Sequence, residues 1–549
     1  MTNCANIVSP KGGPKDTTPP EITKCIPENY SSNFNEKKIS IYFNEFIQLK
    51  DLKSQMIISP PFKEDPEVKL RGKALIIKSD EDLKENTTYT FYFGNSISDI
   101  TEANSVRNFQ YVFSTGTIVD SLTITGKILN SFTLEPEKDV YVMLYTNNED
   151  SIPYKEIPYY VTKTNEQGNF YLKNLKNTPF KLFVLQDNNS NYLYDLPNEK
   201  IAFADSLIFP EQYIAPVIPD SLVNDTAYVD SLTLNNINKE NIFYLFEEID
   251  STQRLVDASL IKKGKLKFIF KFPTKNVNIR PLNFAYPEDW KIDEFNTSKD
   301  TLICWYNNIE KDTLLLEVSD NKIVIDTSEL YIQKTFMSEK EGEVQKKEKL
   351  LIKSNAERGF DYFKTLQLLF SNPLKRYNFS ETLLIENEED TIVPKCSFVD
   401  SLKRRVNVNY IWKQNSSYKI IIPDSLFYDI FDFSNDTTIF DFRTKSIEDY
   451  GVFIINIEIK NPGKKYIIQL LEENGERVLK EILISNSTTL KFDNLNPGKY
   501  KIKAIEDKNN NSKWDTGNYL KKIQPEKVYY FDKEINIRAN WDVEEDWKL

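Results

Sequence analysis

The chain has 549 residues, 40% of them hydrophobic and 13% aromatic, which is material for roughly three to five domains of about 100–200 residues and argues against a disordered coil. Its formal charge is 70 − 82 = −12, so there is no basic field to neutralise phosphates, and nucleic-acid binding is not expected. Histidine is absent, which removes histidine bases, Ser-His-Asp triads and imidazole metal ligands and leaves only carboxylates, Lys, Tyr, Ser or Cys to do chemistry.

The chain opens on Met1-Thr2-Asn3-Cys4, and residues 4–20 read CANIVSPKGGPKDTTPP. Gly12, Gly13, Pro14, Pro19 and Pro20 cannot sustain a helix or a central strand, so residues 1–20 form an extended tether. A cysteine followed by a Pro/Gly tether and a folded domain resembles the opening of bacterial envelope lipoproteins with Ig-like domains. That resemblance implies a signal peptide upstream of Met1 and a lipid on Cys4 as the link to the membrane. A diacylated cysteine carries enough buried CH₂ for stable anchoring. Ala-Asn-Ile-Val follows the cysteine in place of an acidic run, so the resemblance further implies an outer-membrane anchor facing the periplasm. No run of about 18 apolar residues occurs anywhere, so no spanning helix is predicted.

Between residues 21 and 117 apolar residues alternate, as in Ile39, Ile41 and Phe43, or Tyr89, Phe91 and Phe93, which is the pattern of short half-buried strands. The order of Pro27-Glu28-Asn29, Phe43-Asn44-Glu45, Leu83 with Asn86-Thr87-Thr88-Tyr89, Asp99 with Asn104, and Phe113-Ser114-Thr115 resembles the S-layer-type bacterial Ig-like domain. A related pattern returns over 341–447. Asn415-Ser416-Ser417-Tyr418 parallels Asn86 to Tyr89, and Phe442-Arg443-Thr444 parallels Phe113 to Thr115. The spacings agree, 113 − 89 = 24 and 442 − 418 = 24, which predicts a second, divergent Ig-like sandwich.

A stronger repeat joins residues 170–195, FYLKNLKNTPFKLFVLQDNNSNYLYD, to residues 490–515, LKFDNLNPGKYKIKAIEDKNNNSKWD. They align without a gap at an offset of 507 − 187 = 320. Each copy reads strand, turn, strand, acidic loop. With Gly168-Asn169-Phe170 and Pro497-Gly498-Lys499-Tyr500, the copies resemble transthyretin-like or carboxypeptidase-regulatory-like sandwiches over 118–216 and 448–549. The stretch 217–340 between them is β by pattern, with Leu266, Phe268, Phe270 and Phe272 on one face, but no fold is assigned to it. Residues 338–348, SEKEGEVQKKE, are a charged linker or exposed hairpin. The expected class is all-β, tandem sandwiches. Cys4, Cys25, Cys304 and Cys396 lie far apart without a CxxC, so neither a zinc knuckle nor a disulfide framework is expected.

The acidic loops are the candidate sites. Asp187, Asn189, Asn191 and Asp195, and again Asp507, Asn509, Asn511 and Asp515, put oxygen ligands at loop positions 1, 3, 5 and 9, with the carbonyl of Leu193 or Lys513 at position 7, as a Ca²⁺ loop does. Position 6 is Tyr192 or Ser512 rather than glycine, and position 12 is Asn198 or Asn518, with Glu199 one residue beyond. The same residues also suit an Asx-stabilised turn. The tail from Trp541 to Trp547, acidic between two aromatics, reads as a docking peptide for a partner or a solvated end. No GxGxxG, P-loop, GxSxG or SxxK context is evident, so no nucleotide or serine chemistry is expected. The reading is a non-enzymatic envelope lipoprotein that acts as scaffold or protein-interaction module, one version being an accessory subunit of an outer-membrane assembly or export machine. A glycan-binding adhesin is the first alternative. A carboxylate hydrolase with two facing acids in 217–340 is the second.

Overall fold

The computed structural model describes residues 16–107, 109–212, 241–249, 252–287, 289–307, 309, 311–332, 348–461 and 463–549. Cys4 with most of the expected tether, and all but the last residue of the charged stretch 338–348, lie outside the described residues. Among those described, no helix is long and apolar enough to cross a membrane, and strands dominate. The β-branched and aromatic residues that fill these segments suit a pleated, half-buried surface. The architecture is a series of β-sandwiches with separate cores.

In the first Ig-like domain, Ile22–Ile26, Lys38–Phe43, Ala74–Lys78 and Glu67–Arg71 form one sheet. It faces a sheet of Ile57–Ser59, Thr88–Tyr92 and Gln110–Ser114. Period-two alternation sends Ile39, Ile41, Phe43, Tyr89, Phe91 and Phe113 into one core. The second Ig-like domain repeats this design. Lys84 N–H donates to the Tyr89 hydroxyl at 2.9 Å, and Lys413 N–H to the Tyr418 hydroxyl at 2.9 Å. The Thr115 hydroxyl takes Thr87 N–H at 3.0 Å and donates to the Lys84 carbonyl at 2.7 Å. Thr444 does the same with Ser416 N–H at 3.0 Å and the Lys413 carbonyl at 2.6 Å. The two domains therefore share one corner at an offset of 413 − 84 = 329.

The two longer repeats also share their backbone geometry. Asn174 and Asn494, Ser190 and Asn510, and Tyr192 and Ser512 all take left-handed backbone angles with φ between 58° and 62°. In each repeat a first strand, Leu122–Asn130 or Gly451–Glu458, pairs antiparallel with Asn169–Leu175 or Thr488–Leu495.

Two expectations are corrected here. The first repeat does not close at residue 216. Its first strand pairs in parallel with Ile242–Glu247, which also pairs with Lys200–Phe203. The C-terminal tail is not a free end. Asp542–Lys548 pairs in parallel with Gly451–Glu458 along its length. Asp542, Glu544, Asp546 and Lys548 point outward, Glu545 is half-buried beside Lys533, and Trp547, 8% exposed, packs in the core edge-on to Phe531. An acidic strand is accommodated because only one of its faces is buried.

The middle region is a small sandwich of its own. Leu255–Lys262, Lys265–Phe270, Thr301–Tyr306 and Lys291–Phe295 form one sheet, and Val277–Pro281, Thr313–Asp320 and Ile323–Tyr331 the other. Leu266, Phe268 and Phe270 lie in its core, and Phe272 is half-buried. Cys25, Cys304 and Cys396 are free thiols.

Candidate functional site

The Asp/Asn loops fold as the repeat requires, and their polar groups satisfy one another. Asp187 accepts the N–H groups of Asn189, Ser190 and Tyr192 at 3.1, 2.6 and 2.8 Å. Asn189 and Asn191 donate their side-chain amides to Asp195 at 3.1 and 2.8 Å, and Asn191 takes Leu193 N–H at 2.8 Å. In the second copy Asp507 accepts Asn511 and Ser512 N–H at 3.1 and 3.0 Å. Asn509 and Asn511 donate to Asp515 at 2.5 and 2.6 Å, and Lys513 N–H donates to Asn511 at 2.8 Å. The sequence-predicted residues thus come together in both copies. Among the described residues, no three His, Cys, Asp or Glu side chains gather closely enough to hold a metal ion.

Each loop is locked from below by a buried glutamate. Glu199 accepts the N–H groups of Asn188, Asp195 and Leu196 at 3.1, 3.2 and 3.1 Å. Glu526 does this for Lys508 and Asp515 at 2.7 and 3.1 Å, and burial raises its carboxyl above the usual range. Glu199 is visible in the sequence by its proximity to the loop. Glu526 carries no such signal, because it lies eleven residues beyond Asp515.

The segment after the second loop, Thr516 to Gln524, is the largest feature without a sequence signal. It crosses onto the first repeat. The Thr516 hydroxyl donates to the Glu247 carbonyl at 2.7 Å, and Tyr519 N–H to Glu248 at 2.5 Å. Gln524 reaches the Phe203 carbonyl at 3.1 Å and Asp205 at 2.8 Å. Lys522 pairs with Asp150, which Lys181 also holds at 2.7 Å; the hydrogen bonds from these two ammoniums keep the Asp150 carboxyl below its usual range. The Tyr519 ring, 0% exposed, sits edge-on to Phe183 and Phe203 at 4.9 and 5.2 Å between centroids. Burial pushes its hydroxyl pKa up. Gly517 is needed for this approach: a Cβ there would fall 2.6 Å from the Phe246 ring.

A second contact lies alongside. Phe132 of the first repeat meets Trp514 edge-on at 5.0 Å, lies 3.8 Å from the Lys503 ammonium, and accepts the Tyr530 hydroxyl on its carbonyl at 3.4 Å. Ile467, Ile505 and Val528 back it with a small apolar cluster. Burial pushes the Lys503 pKa down to about 8. Of the two tail tryptophans, Trp541 is 58% exposed beside Arg538, whereas Trp547 is inside the core and offers no surface to a partner.

A bacterial Ig-like domain family model matches residues 16–115. No protein of curated function matches the sequence. Among solved structures, the chain is similar to surface layer protein SbsC, domains 1–6, at 10% identity over 94% of this chain and 67% of that one, with a TM-score of 0.14. It is similar to BcpA, the major pilin subunit of Bacillus cereus, at 9% identity over 78% and 99%, with a TM-score of 0.16. It is also similar to SGBP-B of the Bacteroides ovatus mixed-linkage glucan utilization locus, in complex with a mixed-linkage heptasaccharide, at 7% identity over 76% and 95%, with a TM-score of 0.18. Likeness at these scores does not extend to a shared overall arrangement.

Proposed function

We propose that the chain is a non-enzymatic scaffold of the bacterial cell envelope. It is held to the outer membrane by a lipid on Cys4, on the periplasmic side, and presents binding surfaces to other envelope proteins, as an accessory subunit of an assembly or export machine. The observation that carries this reading is the seam: Tyr519 is fully buried in a core of the first repeat. A fully buried ring that joins two repeats makes a stiff support with loops at its ends. Its buried acids are tied in the same way, as when Glu294 in the middle domain meets Arg404 and the Trp305 indole N–H. Crosslinking in native membranes followed by purification tests the reading, with mass analysis of the N-terminal peptide. A co-purified envelope protein and a diacyl mass on Cys4 are expected; recovery of the bare chain with an unmodified cysteine would sink it.

The Asp/Asn loops are the proposed calcium ligands, with Asn189, Asn191, Asn509 and Asn511 presenting their amide oxygens once the amides turn over. Millimolar calcium is then expected to raise the thermal midpoint of the parent and not of a variant carrying Asp187→Asn and Asp507→Asn. An unchanged parent midpoint leaves the loops as self-contained turns. Glycan binding is the second reading, favoured by a groove of about 330 Å³ lined by Phe284, Tyr286, Trp290 and Lys291. A glycan array on which Tyr286→Ala loses a signal the parent gives would support it, and a blank array would remove it.

A further inference from the structure

The two Ig-like domains differ at one decisive position. Their shared corner makes Lys84 equivalent to Lys413, so Leu83 and Trp412, one residue earlier, are equivalent too. The aromatic wall behind them has corresponding members in both, with Phe34 stacked on Phe113 at 3.8 Å where Phe360 meets Phe442 edge-on at 5.3 Å. Phe34 N–H donates to the Ser114 carbonyl at 2.9 Å as Phe360 N–H does to the Arg443 carbonyl at 2.9 Å. Tyr89 stacks on Phe113 at 5.4 Å as Tyr418 stacks on Phe442 at 5.5 Å. In the second domain the Trp412 indole, 5% exposed, lies against that wall, with centroids 5.9, 5.0 and 5.3 Å from Phe360, Tyr418 and Phe442. In the first domain Phe62 covers Tyr89 edge-on at 5.8 Å, and the smaller Leu83 lines a cavity of about 580 Å³ with Phe34, Phe62, Ile77 and Phe113. Four carboxylates, Glu36, Glu81, Asp82 and Glu85, also line it; Lys37 is the cation among the lining residues, and it is paired with Asp80 at 3.0 Å.

We propose that this cavity receives an aromatic side chain carried on a lysine- or arginine-flanked segment of a partner protein, which occupies in the first Ig-like domain the place Trp412 fills in the second. The second domain supplies the aromatic half of the argument, because an indole already packs against the same wall there. The four carboxylates, against one lysine among the lining residues, supply the basic half by charge complementarity at the rim. The inference rests on the scaffold reading only in taking the partner to be a protein. Its test uses the purified chain and a peptide, so its failure leaves the membrane crosslinking result standing, and the converse.

The probe is a fluorescein-labelled Lys-Lys-Trp-Lys-Lys peptide titrated against the full chain by fluorescence polarisation. Saturable binding is expected, about tenfold weaker when the peptide's Trp is Ala, since a buried aromatic anchor carries most of such a contact. Leu83→Trp should fill the cavity from inside and weaken binding by about tenfold or more, with a thermal midpoint equal to or above the parent's. Leu83→Phe serves if the indole disturbs folding. Glu81→Gln with Glu85→Gln, or high salt, should weaken the same peptide. The proposal is overturned if the parent does not bind, if Leu83→Trp binds as well as the parent, or if a Glu-Glu-Trp-Glu-Glu peptide binds equally. The last outcome would mean an apolar site with no preference for a basic partner.

Discussion

Lys503 is 2% exposed, and its ammonium rests on the Phe132 ring across the seam. Burial is what pushes its pKa from 10.5 to about 8, against the pull of Glu481. Between those two values the unfolded chain holds a proton that the folded chain has released, so stability rises with pH across about 8 to 10.5, and below 8 the full desolvation cost is present. Lys503→Met should therefore stabilise the protein at pH 7, by about 1–3 kcal/mol after loss of the cation–π contact is set against relief of desolvation. It should also flatten the rise between pH 8 and 10.5. Urea melts of parent and variant at pH 7 and 10 check this; a variant weaker at pH 7 would mean the cation–π contact dominates. Asp187 makes the complementary case. It accepts three backbone N–H groups, so Asp187→Ala should cost about 1–3 kcal/mol, read as a lower thermal midpoint. At this scale the sequence was legible where ligand spacing is local. The Asp187 and Asp507 loops were readable because each polar group lies within a few residues of its partner. Glu526 was not, because it meets Asp515 N–H from eleven residues away.

Elements were legible in proportion to how regular their alternation is. Leu266 to Phe270 and Tyr89 to Phe93 announce strands because every second side chain is large and apolar. Asp542–Lys548 does not, since its buried face offers only Val543 and Trp547 among carboxylates. What makes it a strand is the open edge of Gly451–Glu458, and a parallel partner some ninety residues away in sequence leaves no local trace. The crossing segment Thr516 to Gln524 is similar: its anchor is one tyrosine in a polar loop, which reads as a surface residue until the first repeat is placed beneath it. Tyr519→Ala removes a fully buried ring and should cost about 3–5 kcal/mol at the seam. Limited proteolysis is the check. Cleavage is expected to shift to the 516–524 segment in the variant while the repeats themselves stay resistant. Asp507→Ala should give a milder version, because the loop it holds leads directly into Thr516. Equal protection of parent and Tyr519→Ala would mean that the Phe132 contact and the bonds of Thr516, Lys522 and Gln524 hold the repeats together without the ring.

Across the whole molecule, each Ig-like domain is fixed to its own repeat, and the repeats are fixed to each other. In the first half, Val161 N–H donates to the Ser59 hydroxyl at 3.0 Å and the Asn174 amide to the Thr90 hydroxyl at 2.9 Å. In the second half, the Tyr450 hydroxyl donates to Asp361 at 2.7 Å, and Lys445 pairs with Asp361 at 3.1 Å and bonds Asn496 at 2.7 Å. The middle domain in turn meets the second Ig-like domain through Arg404 with Glu294, and through the Asn307 amide, which donates to the Ile430 carbonyl at 3.0 Å. The offset of 320 revealed that two repeats exist but not that they touch, because a tyrosine that plugs a neighbour and a tyrosine in its own core look alike in sequence. The seam brings the two halves together: with it the chain doubles back on itself. Solution scattering at matched concentration tests this. The parent should give a single compact particle. A chain with Gly517→Trp, which forces a side chain against Phe246, together with Tyr519→Ala should give a radius of gyration several ångströms larger, with the far-ultraviolet circular dichroism of intact sandwiches. If the radius does not change, the halves are held by contacts outside the seam, and the stiffness on which the scaffold reading depends must come from elsewhere.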